Sequence, residues 1–197
     1  MTRVTEVVPG LRRWTALHEE WREEVASVAV ETDDGLVLID PIDPPRGVRR
    51  PDHILLTVFW HSRSAGGLDA PRIWASKRGA RRLRNRGVVV TDTIENGAAL
   101  PGDLAAFATA RESELVFWLP RQKAVVVGDV LLGAGAKPRA TSASLRLCPE
   151  RWLGKSSHDE LRRSLRPLLE LPVERVLVSH GEPVLGAAKR ALRNVLA

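Results

Sequence analysis

Short apolar runs, most of them ending at a polar residue or a turn, set the pattern of this chain. Val25 to Glu31 and Leu36 to Ile39 predict two strands joined by a hairpin turn at Asp33-Asp34-Gly35, preceded by an extended stretch from Val4 to Thr15. A rigid proline-rich exit, Asp40-Pro41-Ile42-Asp43-Pro44-Pro45, leads to a short strand over Ile54 to Val58. Ile73 to Ala75, a basic helix from Lys77 to Arg86 capped by Ser76 and stopped by Gly87, and Val88-Val89-Val90 predict strand, helix and strand. Leu104 to Thr109, Glu114 to Leu119 and Lys123 to Val127, parted by Pro101-Gly102-Asp103 and Pro120-Arg121-Gln122, predict consecutive antiparallel hairpins. Gly133 to Leu153 has no clean period and predicts a long loop, of a length that suggests a role over a site. Ser157-x-x-Glu160 is a capping box opening a helix of Leu161, Leu165, Leu168 and Leu169, which Pro167 ends or kinks near Arg166. Val176 to Val178 is a further strand, and Val184, Leu185, Ala188, Ala191, Leu192 and Val195 mark a closing amphipathic helix.

Four of these runs end in groups with chemistry to offer: Leu-Val-Leu-Ile-Asp40, Ile-Leu-Leu-Thr-Val-Phe-Trp-His61, Val-Val-Val-Gly128-Asp129 and Val-Leu-Val-Ser-His180-Gly181. A strand buried on both faces holds its last residue rigidly, so polar groups placed just after such strands form a preorganised site at a sheet edge. The loop from Thr57 to Gly67 is the richest of these, with His61, Ser62, Arg63, Ser64 and the pair Gly66-Gly67 in one turn.

Composition adjusts this picture rather than replacing it. The 197 residues fit one domain, expected to span residues 1–197, with 44% hydrophobic and 27% charged residues in the globular range. No apolar run approaches the roughly 18 to 20 residues that span a bilayer, so no membrane partner is expected. A lone Cys148 and a mixed polar N-terminus without a signal-peptide core predict a cytoplasmic protein. The net charge of +6 raises a polyanion as partner, and Lys77 to Arg86 holds six basic residues and no acid. Only five of the 30 basic residues are Lys, an Arg bias that runs through the whole chain, and the patch lacks aromatic residues of its own, so a solvated helix face is the plainer reading.

In their order and spacing the four run ends resemble the metallo-β-lactamase fold superfamily of glyoxalase II-like thioesterases, lactonases and other metal-dependent hydrolases. The resemblance covers nearly the whole chain and implies an α/β protein, a four-layer α/β/β/α sandwich with two mixed β-sheets. In that family an early Leu-Ile-Asp end is structural, a His-x-His-x-Asp-His-x-Gly-Gly loop supplies most metal ligands, a later His precedes a strand, a Gly-Asp supplies a bridging carboxylate and a late His-Gly completes the site. Anchored on Gly66-Gly67, the loop positions fall on Phe59, His61, Arg63 and Ser64, so only the second ligand is kept. The stretch Ala108 to Ser113 contains no His, and His61, Asp129 and His180 are what remain of the family's ligands. Family hydrolysis needs a metal-bound water oriented by the loop aspartate. Arg63 in its place puts a permanent positive charge where cations would sit, and is expected to pair with Asp129.

The reading adopted is a degenerate site, His61, Arg63, Asp129 and His180, without a cofactor, flanked by Asp40, Gly66, Gly67, Gly128 and Gly181 in structural roles, in a protein that is non-catalytic or of altered chemistry and able to take a small-molecule ligand. One alternative is a mononuclear hydrolase of esters, thioesters or lactones holding zinc, iron or manganese on His61, Asp129 and His180. Another is a polyanion or nucleic-acid binding protein using Lys77 to Arg86. Asp40 is expected to hold the following loop through backbone N–H groups. A serine nucleophile at Ser62 or Ser64 lacks an identifiable oxyanion hole, Cys148 is expected to be inert, and His158 is expected to be a solvated first-turn residue, while His18 and His53 show no ligand spacing. Trp60 and Trp152 are candidates to line a pocket.

Overall fold

A computed structural model of the chain describes residues 4–95, 98–137 and 144–197. Seven strands form the first sheet in sequence order: β1 (Val4–Val8), β2 (Leu11–His18), β3 (Glu23–Thr32), β4 (Gly35–Ile39), β5 (His53–Leu55), β6 (Arg72–Ser76) and β7 (Asp92–Ile94). The first four are joined antiparallel by hairpins, and from β4 to β7 the pairing is parallel. The second sheet contains β8 (Ala105–Ala108), β9 (Leu115–Leu119), β10 (Ala124–Val127) and β13 (Arg175–Val178), with β10 and β13 parallel and the other pairs antiparallel. A small ribbon pairs β11 (Leu131–Gly133) with β12 (Leu145–Leu147).

Both sheets are mixed, and alternation along their strands sorts side chains into three cores. Val28, Val30, Val37, Ile39 and Leu55 of the first sheet meet Leu115, Phe117, Leu119, Val126 and Leu177 of the second, so the sheets pack face to face. The outer face of the first sheet, through Ala29, Leu38, Ile54 and Ala75, is covered by Leu83 of α1 (Lys77–Arg84). The outer face of the second, through Val116, Val125, Val127 and Val176, is covered by Leu161 and Leu165 of α2 (His158–Leu165) and by Ala188, Ala191 and Leu192 of α3 (Ala188–Leu196). The result is helix, sheet, sheet, helix, the sandwich that the resemblance implied.

Three elements differ from the sequence expectation. Val88-Val89-Val90 forms no strand: the Val88 N–H bonds back to Leu83 O at 3.2 Å, Gly87 takes φ +73°, and the helix terminus consumes the residues that looked like a strand. The ladder begins only at Asp92. The expected loop from Gly133 to Leu153 contains β12, whose Leu-Arg-Leu alternation is too short to read alone, and its residues 138–143 lie outside the described residues. The closing helix starts at Ala188, because Val184 is held in a bridge with Val176.

Candidate functional site

The connections at one edge of the sandwich deliver the site. Asp40 follows β4 directly, in a left-handed conformation (φ +49°). Asp129 lies two residues beyond β10, and His180 two residues beyond β13. His61 is not at a strand end: β5 stops at Leu55, and His61 sits in a 3-10 turn over Phe59–Ser62. Two glycines make this crowding possible. A Cβ on Gly128 would lie 2.6 Å from Thr57 Oγ1 and 2.8 Å from Glu114 Oε1. Gly181 adopts φ +83° and passes within 2.6 Å of Ala134 O at its absent Cβ, so an L side chain there is excluded twice. Gly66 and Gly67 lie in a 3-10 turn, Ala65–Gly67, beside Val88.

Asp129 is the hub. Its Oδ1 lies 3.0 Å from His61 Nε2 and 3.1 Å from His180 Nε2, while its Oδ2 accepts from Trp60 Nε1 at 2.8 Å and Arg111 Nη1 at 3.2 Å. Each histidine is held from behind by a second carboxylate: Nδ1 of His61 is 2.7 Å from Asp40 Oδ2, and Nδ1 of His180 is 3.4 Å from Glu23 Oε1. Asp40 also accepts the Thr57 backbone N–H at 2.8 Å and the Thr57 hydroxyl, which ties the end of β4 to the chain leaving β5. Glu114, fully enclosed, accepts the backbone N–H groups of Asp129 and Val130 at 2.6 and 2.9 Å and receives Arg111 Nη1 at 3.0 Å.

Arg63 does not pair with Asp129, contrary to the expectation. Its guanidinium donates to Ala26 O at 2.9 Å, Asp40 O at 3.1 Å and Ser179 Oγ at 2.7 Å, bracing the strand ends behind the cluster. The reason is backbone geometry: Arg63 has φ +36°, a strained value for an L residue, which turns its side chain toward those carbonyls. The cation on Asp129 is Arg111, from the very stretch in which the family's missing His was sought. The sequence pattern does not single out Arg111, Glu114 and Glu23; the signal it offers is a long cation and an acid bracketing the entry to β9. Ser64 bonds Asp43, Ser62 is buried beside His61, and His158 is a half-buried first-turn residue of α2 whose Nε2 lies 2.7 Å from Cys148 O. Cys148 is buried, and burial pushes its thiol up to about 12, well away from reactivity.

The electrostatics follow from enclosure. Four carboxyl groups (Asp40, Asp129, Glu114, Glu23) meet two guanidinium groups (Arg63, Arg111) and two imidazoles. Burial opposes charge on His180, but contact with Asp129 and Glu23 prevails and raises it to about 9. His61 shifts the same way: burial and the Arg63 charge push it down, and Asp129 and Asp40 outweigh them. Burial likewise works against ionised Asp129, yet the His61 charge and the His180 contact hold it well below the usual carboxylate range. Glu114 is raised to about 7 by burial and by repulsion from Asp129. The raised imidazoles and the lowered Asp129 carboxylate favour an ion-paired hub of one anion between two cations.

A single cation also fits the donor set. Asp129 Oδ1 and His61 Nε2 are close but poorly aligned for a hydrogen bond, so both are orphaned buried atoms. Together with a ring nitrogen of His180 they offer ligand atoms within 4.8 Å of one another, and bonds of about 2.0 to 2.2 Å to zinc would suit such a triad. Asp40 and Glu23 behind the two rings supply the usual outer support of metal-bound histidine. The second oxygen of Asp129 already accepts from Arg111 and Trp60, and this triad is the one group of three metal-capable side chains among the described residues.

The cluster is closed. His61, Asp129 and His180 are 0%, 5% and 4% exposed, and the Trp21 ring, stacked on His18 at 3.9 Å, stands 6.1 and 5.9 Å from the two imidazoles. A cavity of about 800 Å³ on one side is lined by Glu23, and one of about 580 Å³ on the other by Trp60 and Arg111; neither is lined by the three central residues. No helix among the described residues is long and apolar enough to cross a membrane.

The fold defines the class: the chain has the metallo-β-lactamase fold. It is similar to the DIM-1 metallo-β-lactamase (15% identity, TM-score 0.70, covering 99% of this chain and 96% of that one). It is similar also to a metallo-β-lactamase from Pontibacter korlensis (16%, 0.69, 100% and 99%) and to FIM-1 from Pseudomonas aeruginosa in its mono-zinc form (15%, 0.69, 99% and 94%). No family model and no curated protein matches the sequence.

Proposed function

We propose that this protein is a metallo-β-lactamase-fold protein of hydrolase ancestry whose two-metal centre has been replaced by a buried ion-pair cluster, and that it binds a ligand rather than hydrolysing one through metal-bound water. The observation that carries this reading is the state of Asp129: its carboxylate contacts two imidazoles, an indole and a guanidinium in a site closed to solvent. A catalytic metal needs a coordination position that substrate can reach, whereas His61, Asp129 and His180 are nearly fully buried and the Trp21 ring stands 6.1 and 5.9 Å from the two imidazoles.

The test is metal analysis of protein purified without chelator. Zinc, iron and manganese are each expected well below one equivalent, with no metal-stimulated hydrolysis of ester, thioester or lactone substrates. The orphaned donor atoms favour one competing reading, a mononuclear hydrolase on His61, Asp129 and His180. A full equivalent of metal that disappears in His61→Ala, together with hydrolysis that disappears with it, would establish that reading in place of ours.

A further inference from the structure

Beyond the cluster, on the side of Trp60 and Arg111, lies a cavity of about 580 Å³ within the size range of small-molecule sites. Its walls come from four separate parts of the chain: Phe59 and Trp60 from the turn before His61, Arg78 and Arg82 from α1, Arg111 from the connection after β8, and Trp152 and Lys155 from the connection after β12. We infer that this cavity binds a phosphate monoester carrying a flat ring, of the nucleoside monophosphate class.

The charge count selects the anion. Arg78 is paired with Glu112 and Arg111 with Glu114 and Asp129, whereas among the described residues Arg82 and Lys155 form no ion pair. Two uncompensated cations therefore face one cavity. A phosphate monoester carries about −1.5 to −2 at neutral pH and matches them, whereas a single carboxylate would leave one unanswered. Arg111 adds a guanidinium already fixed from behind: both of its carboxylate bonds leave from Nη1, and its side chain is only 12% exposed. Planar arginine groups bind phosphate through paired N–H donors, and holding one rigid lowers the ordering cost of binding.

The aromatic walls select the ring. Arg111 lies over Trp60 at 4.5 Å and near Trp152 at 5.9 Å, and Arg82 lies over Phe59 at 4.8 Å. Arg86 also lies over Phe59 at 5.4 Å, so guanidinium groups already cover Phe59 and Trp60, and Trp152 is the ring left to stack a base beside the cations that hold the phosphate. The basic helix face, which has no aromatic residue of its own, acquires Phe59 from the facing turn.

This inference deepens the binding reading above and rests on it, but not on the metal content of the cluster, so the two can fail separately. The experiment titrates the full chain, isotope-labelled, with AMP, adenosine and inorganic phosphate, following Trp indole signals by NMR and heats by calorimetry. AMP is expected to bind saturably, shifting the Trp60 and Trp152 indole signals, with adenosine and phosphate each weaker by about tenfold or more. Arg82→Ala and Lys155→Ala, both at exposed positions, are each expected to weaken AMP by about tenfold, and Trp152→Leu to remove its preference over phosphate. Absence of saturable AMP binding, or AMP binding unchanged in both charge variants, would overturn the inference whatever the metal analysis returns. Metal-dependent turnover of esters alongside normal AMP binding would instead overturn the ion-pair reading and leave this site standing.

Discussion

Replacing Asp129 by alanine is expected to lower the free energy of unfolding by about 3 to 5 kcal/mol, the cost of removing one partner from a buried ion pair. The argument rests on what is left behind. His61 and His180 lose their shared anion in an enclosed site, and at its partly buried rim Arg111 keeps only Glu114 and the Trp60 N–H loses its acceptor. A domain holds only about 5 to 15 kcal/mol in total, so Asp129→Asn, which keeps the shape and removes the charge, supplies a milder second case that should fall between wild type and alanine. Denaturant unfolding followed by circular dichroism reads both. A double-mutant cycle between Asp129→Asn and Arg111→Met should give a coupling of about 0.5 to 3 kcal/mol, larger than the cycle with Arg63→Met, because only Arg111 touches the carboxylate. Losses below about 1 kcal/mol in both Asp129 variants would mean the contacts are worth no more than surface ion pairs.

The second large effect is on pH dependence. Stability rises with pH wherever the unfolded chain binds more protons and falls where the folded chain does. His180 is raised from an ordinary 6.5 to about 9, so its contribution is complete below the unfolded value and is lost as pH climbs through about 9. That span amounts to stability on the order of 3 kcal/mol, shared across a coupled network rather than owned by one residue. Glu114, raised from 4.5 to about 7, acts in the same direction over the lower part of the range. Asp129 acts oppositely: its lowered value contributes stability present above the unfolded 3.8 and lost as pH falls through the folded value. Maximal stability is therefore expected on the acid side of neutrality, with a decline toward about pH 9 that His180→Asn flattens. Stability that rises between neutral pH and about pH 9 would contradict protonated imidazoles at the hub.

Much of the fold was legible because it is written locally. The Val25 to Glu31 and Leu36 to Ile39 hairpin, the Ser157 capping box with its N3 Glu160, and the apolar runs that became β9, β10 and β13 are read from neighbours a few residues apart. Val88 to Val90 misled because β-branched residues suit a strand, whereas the helix end before them had the first claim on their backbone. β12 was missed because three residues carry too little alternation to register, and its pairing with β11 spans a connection that no local rule sees.

The candidate site divides in the same way. That His61, Asp129 and His180 are candidates, and that Arg63 falls where the resemblance would place an aspartate, was legible in order and spacing along the chain. Which cation reaches Asp129 was not, because a long side chain can point anywhere that its backbone allows. A positive φ turned Arg63 toward the carbonyls of Ala26 and Asp40, and the entry to β9 carried Arg111 onto the carboxylate, joining residues 18 positions apart. Periodicity along the sequence by itself determined most strands and helices, while the motif order that resembles the metallo-β-lactamase fold implied the sandwich and singled out His61, Asp129 and His180. Only the tertiary structure decided that these three are enclosed and in mutual contact, and that Arg82 and Lys155 face an aromatic cavity beside them, since enclosure and convergence depend on distances that the order of residues does not carry.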